Sequence, residues 1–144
     1  MKSLMTLAIV ALFGLAITAS AKADGDPAAG EKVFKKCVAC HKVGEGAKNG
    51  VGPILSGVIG RPAGTVEGFV YSKLNQNAGA NGLVWTEQAI FDYLADPNAY
   101  LKKHLTDAGK ADQIVSATKM MFKLPKEAER QNVIAYLKQF SPAP

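Results

Sequence analysis

The feature that most constrains this chain is the stretch KKCVACHKV at residues 35–43. It holds the chain's only two cysteines, Cys37 and Cys40, with His41 directly behind them. A disulfide between cysteines three residues apart closes a very small loop and therefore adds little chain-entropy stabilisation. A structural disulfide is consequently a poor explanation for the pair, and a chemical role is expected.

Three chemical interpretations compete for this segment. A thiol redox site places Cys-x-x-Cys at a helix start inside a βαβ unit, whereas here a helical pattern precedes Cys37 and no βαβ pattern surrounds it. Structural zinc needs four ligands, and the distant His104 is the only further histidine. The spacing Cys-x-x-Cys-His is the attachment signature of covalent haem, with two thioether bonds and the histidine on the iron. We therefore expect one haem c, attached through Cys37 and Cys40 and bound by His41.

The N-terminal segment predicts export. Residues 1–23 combine Lys2, an apolar run over 4–17 and a small-x-small sequence that ends at Ala23. The apolar run falls short of the about 20 residues that a membrane span requires. This layout is typical of a signal peptide cleaved after Ala23, which predicts a periplasmic protein with one domain over residues 24–144. Retention as an uncleaved anchor is the alternative.

The charge of the processed chain bears on its partners. Without the two leader lysines it carries 15 basic and 12 acidic residues, a net charge of +3. This mild excess suits docking to an acidic protein surface, and no motif for nucleic-acid binding is present. Lys36, Lys119 and Lys123 lie close to the candidate ligand segments, so we expect them to surround the exposed haem edge.

The sixth ligand of the iron is open on residue chemistry alone. Behind the leader the chain offers His104, Met120 and Met121. Iron with histidine and methionine ligands is the arrangement of electron carriers, because the thioether raises the reduction potential. The alternative use of two adjacent methionines is to fill an apolar core.

A resemblance to a known family narrows this choice. From about Gly25 to Phe140 the chain resembles the class I c-type cytochromes, both the bacterial cytochrome c2 group and mitochondrial cytochrome c. The resemblance rests on motifs in a fixed order: CVACHKV, GVGPIL, GVIGRPAG, GFVYS, LNQN, LVWTEQAIFDYLADPNAYL and ATKMMF. It implies an all-α fold in which helices and loops wrap around one covalently attached haem.

The resemblance also implies roles for individual residues. It makes His41 and Met120 the two iron ligands. It also implies that the carbonyl oxygen of Pro53 accepts a hydrogen bond from the ring N–H of the histidine. It places Phe122 at the haem edge and Asn75 in the water network of the haem pocket. The remaining implied pocket residues contact a propionate or, in the case of Tyr93, lie near the methionine ligand: Arg61, Tyr71, Trp85, Tyr93 and Thr118.

The function that the resemblance implies is electron transfer rather than catalysis. We expect a soluble, monomeric, periplasmic one-electron carrier that takes electrons from a quinol-oxidising cytochrome bc1 complex. Its acceptor would be a terminal oxidase, a photosynthetic reaction centre or another periplasmic protein. A haem enzyme or gas-binding sensor with a labile distal ligand is the alternative, and a thiol oxidoreductase is a third.

Local patterns agree with an all-α domain. Asp26 and Pro27 are a typical helix start, Thr86 is the expected cap of a second helix that ends before Pro97, and residues 125–140 carry a helical apolar repeat. In the resembling family the first and last helices cross at a small-residue contact, which here would use Gly30, Phe34 and Tyr136. Compared with mitochondrial cytochrome c, residues 102–116 look like an insertion, and we expect His104 to be a surface residue in it.

Overall fold

The computed structural model describes residues 24–142, so the predicted leader and its cleavage site lie outside the described residues. Within this range the chain forms five α-helices and one short 3₁₀ helix. They are α1 (Pro27–Phe34), α2 (Lys73–Ala80), α3 (Glu87–Ala95), α4 (Pro97–Asp107), the 3₁₀ helix (Ala111–Gln113) and α5 (Glu127–Lys138). The only strand-like pairing in this range is a single bridge between Pro62 and Val84. The predicted all-α class is confirmed, and none of the described helices has the length and apolarity to cross a membrane.

Helix α1 begins where the sequence predicts. The carboxylate of Asp26 accepts a hydrogen bond from the backbone N–H of Ala28 at 2.8 Å, and Pro27 occupies the first helical position. Proline is favoured there because its missing N–H would have no partner in the first turn.

The contact between α1 and α5 depends on a glycine. A Cβ atom on Gly30 would lie 1.9 Å from the carbonyl oxygen of Asn132, so no side chain fits between the two helices. One turn further on, the rings of Phe34 and Tyr136 pack with their centroids 5.3 Å apart. The expected crossing of the first and last helices at Gly30, Phe34 and Tyr136 is confirmed.

Helices α3 and α4 follow one another directly, and α4 includes the first part of the insertion expected at residues 102–116. The hydroxyl of Thr86 caps α3, and α3 ends at Ala95, as predicted. Pro97 then starts α4, which continues to Asp107, so the first part of the expected insertion is helical. Leu101 and Leu105, four residues apart on one face of α4, are both 0% exposed and anchor this helix in the core.

His104 is not a simple surface residue, contrary to the sequence-based expectation. It is half-buried on α4, and its ring Nε2 lies 3.1 Å from the carbonyl oxygen of Asn81 at the end of α2. The side-chain amide of Asn81 donates in turn to Gln113 Oε1 at 2.7 Å. Because this polar cluster joins α2, α4 and the 3₁₀ helix, the segment after α4 is fixed to the domain.

The apolar core draws on all five α-helices of the described residues. Its buried helical members are Val33 and Phe34 of α1, Leu74 and Ala78 of α2, Ala89 and Ile90 of α3, Leu101 and Leu105 of α4, and Val133, Ile134 and Leu137 of α5. The loops between α1 and α2 and between the 3₁₀ helix and α5 lie against this core. Most of the side chains of the candidate site come from these two loops.

Candidate haem site

One cavity collects every site residue that the sequence predicts. It has a volume of about 290 Å³ and a largely apolar lining from both loops and from α1, α2, α3 and α5. A volume of this size is near the lower end of the range for small-molecule and cofactor sites. The predicted residues that line it are Cys37, Cys40, His41, Pro53, Arg61, Tyr71, Asn75, Trp85, Tyr93, Thr118 and Met120.

The two cysteines sit on a turn that continues α1. The N–H of Cys40 and the N–H of His41 both donate to the carbonyl oxygen of Cys37, at 3.0 and 2.9 Å. Both thiols are free rather than joined in a disulfide. Burial raises the pKa of the Cys37 thiol, and the charge of Lys36 only partly opposes this. A reactive redox thiol needs a lowered pKa, so this environment argues against the thiol oxidoreductase interpretation.

The geometry around His41 prepares it to bind a metal. Its Nδ1 lies 2.7 Å from the carbonyl oxygen of Pro53, to which the ring N–H donates. This hydrogen bond leaves Nε2 with its lone pair available. Burial lowers the pKa of His41, which favours the neutral imidazole that a metal requires. Gly52 allows the loop to approach this closely, because a Cβ atom there would lie 2.4 Å from His41 Cε1.

The two methionines have different surroundings. Both line the cavity, but Met120 is half-buried and its sulfur accepts a hydrogen bond from the Tyr93 hydroxyl at 3.5 Å. Burial raises the pKa of Tyr93 to about 12, so the phenol stays protonated and remains a donor. Met121 is 71% exposed. His104, the third candidate for the sixth ligand, does not line the cavity.

The cavity also contains polar and charged side chains that favour binding of an anionic group. Arg61 donates to the carbonyl oxygens of Ser56 and Ile54 at 3.1 and 3.0 Å, and no carboxylate of the described chain pairs with it. A half-buried guanidinium without a carboxylate partner favours binding of an anion such as a haem propionate. Tyr71 also lines the cavity, and its hydroxyl accepts from the N–H of Val66 at 3.3 Å.

Two further polar side chains complete the pocket. The side-chain oxygen of Asn75 is buried and has no partner in the described chain. Buried polar atoms normally have one, so this acceptor points to a bound group or its associated water. Thr118 is buried, and its hydroxyl accepts from the N–H of Met120 at 3.2 Å. Trp85 is also buried and packs edge-on against Tyr93 at 4.7 Å.

The structure adds one residue that sequence reasoning missed. Arg130 is only 6% exposed, although a charged residue on a helix such as α5 is usually solvated. Its Nη1 donates to the carbonyl oxygens of Leu124 and Pro125 at 2.8 and 2.7 Å, and its guanidinium stacks on Phe91 at 4.3 Å. Arg130 therefore fixes the end of the loop that carries Met120. Its sequence context gives no signal for this role.

The three lysines that we expect around the haem edge differ in their ion pairing. Lys36 pairs with Glu129 at 2.7 Å, and Lys123 pairs with Asp96 at 2.5 Å, so both charges are balanced within the molecule. Lys119 has no carboxylate partner in the described chain, and its ammonium donates to the carbonyl oxygen of Val70 at 2.6 Å.

Apolar side chains are prominent around the same opening. Val51, Val70 and Met121 are between 71% and 76% exposed, more than any other large apolar side chains of residues 24–142. Phe122 is 40% exposed. Val51, Met121 and Phe122 line the cavity, and Val70 lies between two lining residues. We call these four residues the apolar rim.

Comparisons with known proteins agree with this geometry. The family model described as cytochrome c matches residues 27–141. The chain belongs to the cytochrome c family. It is 64% identical over 119 residues to cytochrome c2 iso-2 of Rhodospirillum centenum, covering 83% of this chain and 98% of the relative. A cytochrome c2 of Rhodopseudomonas palustris is 52% identical over 136 residues, covering 94% of this chain and 96% of the relative.

Solved structures show the same fold. The structure of cytochrome c2 from Rhodospirillum centenum superposes with a TM-score of 0.81 at 64% identity, covering 82% of this chain and all of that one. For the ferricytochrome c2 of Rhodopseudomonas palustris the TM-score is 0.77 at 58% identity, with 81% and 99% covered. The small cytochrome c fold that the motifs predict is confirmed.

Family membership and the cavity together define the cofactor. The Cys-x-x-Cys-His spacing in a member of this family attaches one haem c covalently. The cavity fits such a group, since its apolar lining also contains two free thiols, the imidazole of His41, the thioether of Met120 and the guanidinium of Arg61. The haem supplies the one-electron couple of its iron. This cytochrome c is an electron carrier and not an enzyme.

Proposed function

We propose that this cytochrome c is a periplasmic one-electron carrier between membrane redox complexes, with His41 and Met120 as the ligands of its haem iron. It takes electrons from a quinol-oxidising cytochrome bc1 complex. It delivers them to a terminal oxidase, a photosynthetic reaction centre or another periplasmic acceptor.

The observation that carries the proposal is the shared cavity of His41 and Met120. Each side chain is oriented by a second group: the carbonyl of Pro53 holds the imidazole, and the hydroxyl of Tyr93 contacts the thioether sulfur. With both side chains bound, the iron would have no open position for a substrate or for oxygen. This favours an electron carrier over a haem enzyme or gas sensor.

The remaining pocket residues orient the haem and control its surroundings. We assign propionate contacts to Arg61, Tyr71, Trp85 and Thr118, because they contribute a cation, hydroxyls and an indole N–H to the cavity lining. Asn75 supplies a buried acceptor to the internal water network. The apolar lining keeps solvent from the iron, which favours the reduced state that carries less net charge.

Export and assembly belong to the same proposal. Cleavage after Ala23 removes the leader and releases residues 24–144 into the periplasm. We propose a monomer, since a carrier that alternates between two membrane complexes has to present one haem edge to each in turn. Several relatives at more than half identity are also named cytochrome c2.

A redox-titrated spectrum of purified periplasmic protein tests the ligand set. The oxidised protein should show the near-infrared band of methionine-ligated haem iron and give a single one-electron transition. Met120→Ala should abolish the band and lower the reduction potential, because a thioether ligand stabilises the reduced iron. Met121→Ala is the matched control and should retain the band. The opposite result for the two variants would assign the ligand to Met121.

A further inference from the structure

The two adjacent methionines differ in their access to solvent. Met120 is half-buried with its sulfur in contact with the Tyr93 hydroxyl, whereas Met121 is 71% exposed on the apolar rim. They are also the only methionines behind the predicted leader. Both methionine sulfurs of the processed chain therefore lie in one dipeptide, one in a half-buried side chain and the other in an exposed one.

The position of Met121 connects its chemistry to docking. The three most exposed large apolar side chains of the described chain, Val51, Val70 and Met121, all belong to the rim of the cavity. Exposed apolar groups clustered around a site indicate a surface for contact with a protein partner. Two of the three nearby lysines are balanced by carboxylates, which increases the relative weight of apolar contacts on this surface.

We propose that Met121 is an oxidation site for hydroperoxides, and that its sulfoxide weakens docking while the Met120 ligand stays intact. In the reaction the sulfur of Met121 attacks the distal oxygen of the hydroperoxide. The O–O bond breaks, one oxygen forms the S=O bond, and the remainder leaves as an alcohol or water after proton transfer. The sulfur loses two electrons and the peroxide gains them. The sulfoxide is reversible by methionine sulfoxide reductases.

The consequence for docking follows from polarity. A sulfoxide replaces a polarisable apolar side chain with a strongly polar one. Burying that group against an apolar partner surface without a hydrogen bond is unfavourable. The docking part of the inference rests on the proposed function, whereas the selectivity between the two sulfurs depends only on this chain.

Peptide mass spectrometry tests the selectivity. The holoprotein is exposed to a dilute hydroperoxide, the haem spectrum is recorded, and the protein is digested with trypsin. Cleavage after Lys119 and Lys123 isolates the peptide MMFK, in which fragmentation distinguishes the two sulfurs. Met121 should gain one oxygen at least about tenfold faster than Met120, as its exposure predicts. Equal rates at the two sulfurs, or faster oxidation of Met120, would overturn the proposal.

Electron-transfer kinetics test the consequence. After selective oxidation, the second-order rate of electron transfer from the cytochrome bc1 complex should fall on the order of threefold to tenfold, as expected for losing one apolar contact. The near-infrared band and the reduction potential should not change. Met121→Gln, a polar variant without sulfur, should show a similar fall without oxidant. Met121→Leu should show the same rate before and after peroxide treatment.

The outcomes separate the inference from the proposed function. An unchanged rate after complete oxidation of Met121, or a rate loss in peroxide-treated Met121→Leu, would overturn the docking part. A failure of untreated protein to exchange electrons with any membrane complex would contradict the proposed function instead. In that case mass spectrometry would still decide whether Met121 is oxidised faster than Met120.

Discussion

The two loops that face the cavity are built in different ways. The histidine loop, residues 37–55, is held mainly by short-range contacts: His41 bonds to Pro53, Gly52 donates to Cys40, and Leu55 donates to Lys42, each across 12 or 13 residues. The methionine loop, residues 114–126, has no regular secondary structure. It depends on distant groups, which include Val70 for Lys119, Asn98 for Thr118, Leu94 for Leu124, and Arg130.

The two proposed iron ligands, His41 and Met120, are therefore positioned by different means. Once the turn after α1 forms, the chain places both thiols and His41 within five residues. Met120 reaches its position only when α3, α4 and α5 have packed around its loop. We therefore expect the histidine loop to keep its structure under perturbations that displace the methionine loop.

Loss of the covalent attachment should have the largest effect. Cys37→Ser combined with Cys40→Ser removes both thioether bonds. The chain then retains no haem around which its apolar side chains can pack. We expect no covalent haem protein in the periplasm and no folded domain by circular dichroism. A denaturant-resistant haem stain at normal intensity from this double variant would contradict the attachment.

The same contrast explains what the sequence reveals. The cysteines, His41 and the cap of α1 are local signals; the first three line the cavity, and Asp26 caps α1. Helix α2, with the sequence KLNQNAGA, is not predicted because asparagine and glycine are poor helix formers. It forms because Ser72 caps it and Leu74, 0% exposed, anchors it in the core.

Long-range roles are the part that the sequence does not reveal. The four-residue spacing of Leu101 and Leu105 is a signal that was available for the second half of α4. Nothing near Arg130 indicates that its guanidinium is buried against the distant Phe91. The pairing of Lys36 with Glu129 spans 93 residues and is equally absent from any local pattern. Such contacts depend on the packing of the whole domain.

Arg130 offers a way to loosen the methionine side selectively. Arg130→Met removes the donor to the carbonyl oxygens of buried Leu124 and of Pro125, which should cost about 2–3 kcal/mol of unfolding free energy. In urea titrations of the oxidised variant, the near-infrared methionine band should disappear at a lower denaturant concentration than the haem absorption change that reports His41.

A neighbouring lysine provides the control for that experiment. Lys126 is exposed, and its Nζ lies 3.7 Å from Glu129 Oε1. Such an exposed ion pair contributes little to stability. Lys126→Met should therefore change the unfolding free energy by less than about 0.5 kcal/mol. If Arg130→Met shifts both spectral transitions equally, the two sides of the haem unfold as one unit and the contrast between the loops does not extend to stability.

The pH dependence of stability should show a smaller effect on the methionine side. Tyr93 has its pKa raised from 10.0 to about 12 by burial. Between these pH values the folded protein retains a phenolic proton that the unfolded chain has lost. The free energy of unfolding therefore falls as pH rises from about 10 to 12, by about 2 kcal/mol from this group. Below pH 10 Tyr93 contributes no slope.

Tyr93→Phe isolates this contribution. The variant loses the titrating group, so its unfolding free energy, measured by urea titration at several pH values, should decline less steeply between pH 10 and 12. It also loses the hydrogen bond to the Met120 sulfur, and we expect its near-infrared band to shift. Identical slopes for variant and wild type would show that the phenol does not stay protonated in the folded protein.

The smallest expected effect concerns charge at the methionine loop. Lys119 is the lysine beside Met120 that lacks a carboxylate partner in the described chain. Opposite charges mainly raise association rates, and salt screens them over about 8 Å at physiological ionic strength. Lys119→Glu should lower the second-order rate of electron transfer to an acidic partner roughly two- to fivefold at low salt. It should also flatten the dependence of the rate on ionic strength.

The control has to carry the same charge change away from the cavity. Lys138 is unsuited because its ammonium pairs with Glu87 at 2.9 Å. Lys110, exposed beside the 3₁₀ helix and outside the cavity lining, has no ion pair in the described chain. Both variants should keep the near-infrared band. If Lys110→Glu slows the reaction as much as Lys119→Glu, the overall charge of +3 guides association and the methionine loop has no special part in it. If only Lys119→Glu slows the reaction, the methionine loop, which depends most on distant contacts, is also the loop that contacts the partner.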